Sequence, residues 1–98
     1  MKLDRWIALT TRLAEIRDVE SIYVTSDDRS FDIWVLIPKR DLPLVRRIAE
    51  VEHAFMKEYL RSEPEPRLSF DSHIVYQGNQ PAEHLVPRGA SRVARSAA

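Results

Sequence analysis

The segment Ser30-Phe31-Asp32-Ile33-Trp34-Val35-Leu36-Ile37 constrains the fold more than any other stretch of this chain. Phe31, Ile33, Val35 and Ile37 alternate with Asp32, Trp34 and Leu36, the period of two that a half-buried strand requires. Such a strand gives one face to a core and presents a carboxylate and an indole on the other. Ser21-Ile22-Tyr23-Val24-Thr25, rich in β-branched and aromatic residues, reads as a second strand. The polar stretch Ser26 to Ser30 between them predicts an antiparallel hairpin.

Helical periodicity flanks the hairpin. Leu3, Trp6, Leu9, Leu13 and Ile16 recur at three- and four-residue steps, which predicts a helix from about Asp4, as N-cap, to Asp18. Ile7 falls off that stripe. After Pro38, Asp41-Leu42-Pro43 supplies an N-cap and a first-turn proline. Leu44, Ile48, Val51, Phe55 and Tyr59 then keep a helical period to about Arg61, and Pro64 and Pro66 stop it. A third strand follows, with Leu68, Phe70, Ser72, Ile74 and Tyr76 on one face and Ser69, Asp71, His73 and Val75 on the other. Beyond Gln77 the patterning fails, and residues 77–98 read as a flexible C-terminal tail behind a single α+β domain of residues 1–76. Within that tail, Leu85-Val86-Pro87-Arg88-Gly89 is similar to a thrombin cleavage site, with Ala90 where the usual tag has serine.

The order is α-β-β-α-β. A two-layer α+β fold satisfies every apolar face at once: a three-stranded mixed sheet with both helices on one side. The helix between the second and third strands suits a right-handed crossover joining parallel neighbours. The opposite side of the sheet is then open, and it collects Tyr23, Thr25, Asp32, Trp34, Leu36, Asp71, His73 and Val75.

Composition narrows the classes. Lys and Arg total 15 and Asp and Glu total 15, so no global charge favours nucleic acid or an anionic membrane. The tail arginines Arg88, Arg92 and Arg95 are too few to hold a nucleic acid tightly at physiological salt. There is no cysteine, which excludes disulfides, thiolate metal sites and cysteine nucleophiles. The amino-terminal residues lack a signal-peptide core, and no run approaches the roughly 20 apolar residues of a membrane span. A cytoplasmic location, with no membrane partner, is the expectation.

Two chemistries compete for the open face. Asp32 and Asp71 on neighbouring strands, with His73 beside them, are candidates for a magnesium-type or acid–base site. The bland reading is that strand positions facing water carry Asp and His because something polar must stand there. Trp34, Tyr23, Leu36 and Val75 make an aromatic and apolar patch that solvated faces of monomers avoid. Aromatic residues among a few polar groups are typical of interface cores, which points to a protein partner or a homodimer. Self-coverage by Leu85 and Val86 of the tail is a second way to account for Trp34, and base stacking a third, disfavoured because the surrounding face lacks the lysines and arginines that hold phosphates. His53 on the second helix and the Arg46–Arg47 pair read as solvated surface, and His84 in the tail has no partner; Asp27, Asp28 and Asp32 crowd the hairpin as a calcium candidate, but their spacing does not match an EF-hand loop.

On these residues the chain resembles the minimal nucleotidyltransferase-like domains over residues 4–76. In that family a helix leads to a strand ending in Gly-Ser, then to a strand bearing Asp-x-Asp, a helix, and a third strand with a further acid. Asp32 matches the first aspartate of the pair and Asp71 the third-strand acid. Thr25-Ser26 stands in place of Gly-Ser, and Trp34 in place of the second aspartate. The resemblance therefore implies a member that has lost the two-metal site and phosphoryl transfer. It also implies a small prokaryotic-type protein, with a place as the antitoxin-like partner of a pair. The expected function is a non-catalytic interaction or self-association module without a cofactor. A metal-dependent nucleotide binder or enzyme using Asp32 and Asp71, with magnesium, is the alternative.

Overall fold

The computed structural model describes residues 3–26, 30–62 and 69–95. The elements are α1 (Leu3–Ala14), β1 (Ser21–Ser26), β2 (Ser30–Ile37), α2 (Leu42–Ser62), β3 (Ser69–Tyr76), a 3-10 turn (Ala82–His84) and β4 (Ser91–Arg95). One mixed sheet holds all four strands in the order β3-β2-β1-β4. The α+β class is as expected; the three-stranded sheet is not, because the chain beyond Gln77 supplies a fourth strand.

The hairpin forms in antiparallel register, with Tyr23 opposite Trp34 and Thr25 opposite Asp32. The α2 crossover places β3 parallel to β2, pairing Asp32 with Asp71, Trp34 with His73 and Leu36 with Val75. The start of α2 is fixed as its sequence predicts. The Leu44 amide donates to Asp41 Oδ1 at 3.1 Å and the Val45 amide to the Asp41 carbonyl at 2.9 Å, so Asp41 is the N-cap. Asp27, Asp28 and Leu68 lie outside the described residues.

α1 ends at Ala14 rather than near Asp18, and it already includes Asp4. The Ile16 amide turns back to the Leu13 carbonyl at 3.1 Å and the Val19 amide to the Ile16 carbonyl at 3.2 Å. These tighter bonds unwind the last turn, and Asp18 then takes a left-handed conformation with φ 76°. Asp is among the few side chains that tolerate that region. Ile16 therefore leaves the helix but still packs on the core.

One buried cluster joins Leu9 and Leu13 of α1, Ile22 of β1, Phe31, Ile33, Val35 and Ile37 of β2, and Leu44, Ile48 and Phe55 of α2. The strand residues in it share one side of the sheet, so both helices lie on that side. Leu36 is buried as completely, at 0% exposure, yet stands outside the cluster. By the alternation of β2 it faces the other way, so something must cover it there.

The strand order says what does. β3 and β4 run in the same direction at opposite edges, so residues 77–90 have to cross the sheet. The helices occupy one face and the connection takes the other. It leaves β3 through Gly78, whose φ of 57° no ordinary side chain adopts easily and whose amide donates to the Pro38 carbonyl at 2.9 Å. Farther on, Glu83, Val86 and Arg88 line a cavity together with Tyr23 of the open face. β4 then pairs with the free edge of β1, with a bulge opposite Ile22 and Tyr23. The face expected to be open is thus covered at one end by the chain itself.

Truncating Leu36 tests this arrangement. Leu36→Ala should cost about 2–5 kcal/mol in urea unfolding, the loss expected for a buried leucine. A loss no larger than that of a surface substitution, about 0.5 kcal/mol, would show that the connection does not cover it.

Candidate binding face

Alternation and register arrange the side of the sheet away from the helices into three rows. The first row is Ser21, Leu36 and Val75, the second Arg92, Tyr23, Trp34 and His73, and the third Thr25, Asp32 and Asp71. Full burial is confined to the first row: Ser21 and Leu36 are buried, Tyr23, Thr25, Asp32, Trp34 and Val75 are half-buried, and Asp71, His73 and Arg92 are exposed.

The middle of the face is built on an aromatic pair. Trp34 and His73 are neighbours on parallel strands, and their rings stack with centroids 4.7 Å apart and planes 13° from parallel. His73 Nε2 lies 3.2 Å from Asp32 Oδ1, one pairing step along the sheet. In the tautomer that protonates Nε2, the imidazole donates to that carboxylate. The indole therefore holds one face of the ring and the carboxylate holds its edge. The His73 side chain is 44% exposed and that of Asp32 26% exposed, so the pair is accessible to solvent.

The structure brings Asp32 and His73 into contact and places Asp71 directly across from Asp32 by register. Among the described residues, no group of three His, Cys, Asp or Glu side chains is placed to hold a metal ion. Asp32 spends one oxygen on His73. A cation at this position would have Asp32 and Asp71 as candidate ligands, each with an imidazole or open solvent beside it. The remaining sequence candidates are dispersed: His53 on α2, His84 in the 3-10 turn, and Arg46 and Arg47 are all exposed.

A second polar contact lies on the helix side of β3. Ser72 Oγ donates to Glu52 Oε2 of α2. Burial raises the Glu52 carboxyl above its ordinary range, and the Ser72 hydrogen bond opposes that shift. In sequence the pair is signalled only by the alternation that places Ser72 on the same side of β3 as Phe70 and Ile74, the side of the helices.

No protein-family model, no curated protein and no solved structure matches this chain. No helix among the described residues is long and apolar enough to cross a membrane.

The Glu52 contact has a consequence for pH. A carboxyl raised in the folded state contributes stability that is present below its unfolded pKa and is lost as pH rises through the folded value. Glu52→Gln keeps the acceptor for Ser72 and removes the charge. It should raise the melting temperature at pH 7, with the gain shrinking to nothing as pH falls below the ordinary glutamate value of 4.5. A gain that is equal at pH 4 and pH 7 would refute this account.

Proposed function

We propose that this chain is a non-catalytic interaction module that binds a protein partner, or a second copy of itself, through the sheet face around Trp34. The observation that carries the reading is the Trp34–His73 stack, half-buried in the middle of the face and left with room for a partner. Around it stand Asp32, Asp71 and Arg92, so an aromatic centre has a charged rim. That distribution is the anatomy of a protein interface. The chain's own connection shields Leu36 and leaves Trp34 accessible, which favours a specific patch of limited size.

The resemblance to minimal nucleotidyltransferase-like domains supports the absence of phosphoryl transfer, since Trp34 stands where a metal-binding aspartate would. The antitoxin-like role beside a partner chain rests on that resemblance alone. Trp34→Glu puts a charge into the patch without touching the buried cluster. Light scattering of a mixture with a candidate partner should show complex formation weakened by about tenfold or more in affinity, with circular dichroism unchanged. Unaltered association in this variant would sink the reading.

A metal-dependent, nucleotide-binding function is the second reading, favoured by one observation: Asp32 and Asp71 are register partners on adjacent parallel strands. Their side chains leave the same face at neighbouring positions, within the span of a hard cation. Titration with manganese and ATP, followed by calorimetry, should give binding that Asp71→Asn abolishes. The absence of heat at millimolar ligand would exclude this reading.

A further inference from the structure

The two edges of the sheet are built differently. The β4 edge has five residues, a bulge against β1, and two arginines, Arg92 and Arg95. Short length, bulges and cationic side chains are the devices that keep an edge from pairing with another chain. The β3 edge has only one exposed carboxylate, Asp71, in their place. It is eight residues long, keeps an unbroken register with β2 on its inner side, and contains no proline, lysine or arginine. Five of its side chains, those of Ser69, Asp71, Ser72, His73 and Tyr76, are exposed. Among the described residues no strand pairs with its outer side.

We propose that the outer edge of β3 is a homodimerisation edge, on which the β3 strand of a second copy adds antiparallel to form one continuous eight-stranded sheet. A two-fold axis perpendicular to the sheet keeps each residue on its own face, so only residues of like parity can stand opposite one another. With the axis at Ser72, Asp71 of each copy faces His73 of the other, Phe70 faces Ile74, and Ser69 faces Val75. With the axis one position on, at His73, the two imidazoles face each other and Asp71 faces Val75. The first register sets a carboxylate against an imidazole twice, and with Nε2 given to Asp32 the pair attracts through Nδ1–H of the protonated imidazole. Complementarity therefore selects both a second copy as the occupant and Ser72 as the axis. In that dimer both unprotected edges disappear, and the two edges left are the blunted β4 strands.

This edge is a backbone feature and does not depend on the Trp34 face binding anything. Sedimentation of the full chain over a concentration series should give a monomer–dimer equilibrium. Asp71→Lys sets a cation against His73 of the other copy and leaves Trp34 in place. It should raise the dimer dissociation constant by roughly tenfold or more. Amide hydrogen exchange supplies the second readout: protection within residues 69–76 should rise with concentration in the wild type, and Asp71→Lys should remove that rise. Trp34→Glu should leave the edge dimer intact, so loss of association in that variant alone supports the face and overturns the edge. A chain that stays monomeric at every concentration overturns the proposal, as does a dimer whose β3 amides gain no protection.

Discussion

The pairing of β2 on both sides is the constraint from which the rest of the molecule follows. β1 binds one side of it antiparallel and β3 binds the other parallel. Because side chains alternate along a strand, this double pairing sorts three strands' residues between two faces at once. Phe31, Ile33, Val35 and Ile37 go to the helices and form the centre of the buried cluster. Asp32, Trp34 and Leu36 go to the other side, in line with Asp71, His73 and Val75. A slip of one residue in either pairing would put Trp34 into the core and Ile33 into water. The stack of Trp34 on His73 and the contact of His73 with Asp32 thus depend on a register set by four apolar side chains on the reverse of the same strand.

Most of this was legible because the relevant signals were local. The alternation in 30–37, the cap at Asp41 with Pro43 behind it, and the period from Leu44 to Phe55 each fix an element without help from elsewhere. β4 was illegible for the opposite reason. Ser91-Arg92-Val93-Ala94-Arg95 has no apolar face of its own, and its bulge against Ile22 and Tyr23 breaks what alternation it has. It becomes a strand only because β1 has a free edge within reach, a fact contained in residues seventy positions away. Context of this kind overrides propensity more readily in strands than in helices. The shortened α1 has a similar origin, since its period continues through Ile16 while the backbone turns at Asp18 to bring Val19 into the core.

The candidate site divides along the same line. Register arithmetic on three strands was enough to collect Tyr23, Asp32, Trp34, Leu36, Asp71, His73 and Val75 on one face. How far each would be exposed was not readable, because cover comes from the connection between β3 and β4, and that connection has a course only once β4 is placed. Leu36 is the residue on which the two readings differ most. On a bare sheet it would be part of an exposed apolar patch; in the folded chain it is fully buried. Glu52 was passed over for a different reason. It lies beside His53 on a helix surface in sequence terms, and only the β3 serine across from it shows that it reaches toward the sheet.

What remains uncovered is a face that changes character along its length. At the buried end Ser21, Leu36 and Val75 contribute to stability. At the other end Thr25, Asp32 and Asp71 are hydrophilic and cost little to leave in water. Trp34 lies at the boundary, and its position there has a physical cost on both sides. A tryptophan leaves much apolar area accessible unless something packs on it, and its indole N–H needs an acceptor if it is buried outright. Stacking with His73 covers one face of the ring and fixes its orientation, so a partner would meet a preorganised surface and lose little side-chain entropy on binding. Asp32 serves the same end by holding the imidazole at 3.2 Å. A carboxylate used to orient a histidine against an aromatic ring has one oxygen fewer for a cation. The same residue that makes a metal site conceivable is, in this geometry, already employed in holding His73 against Trp34.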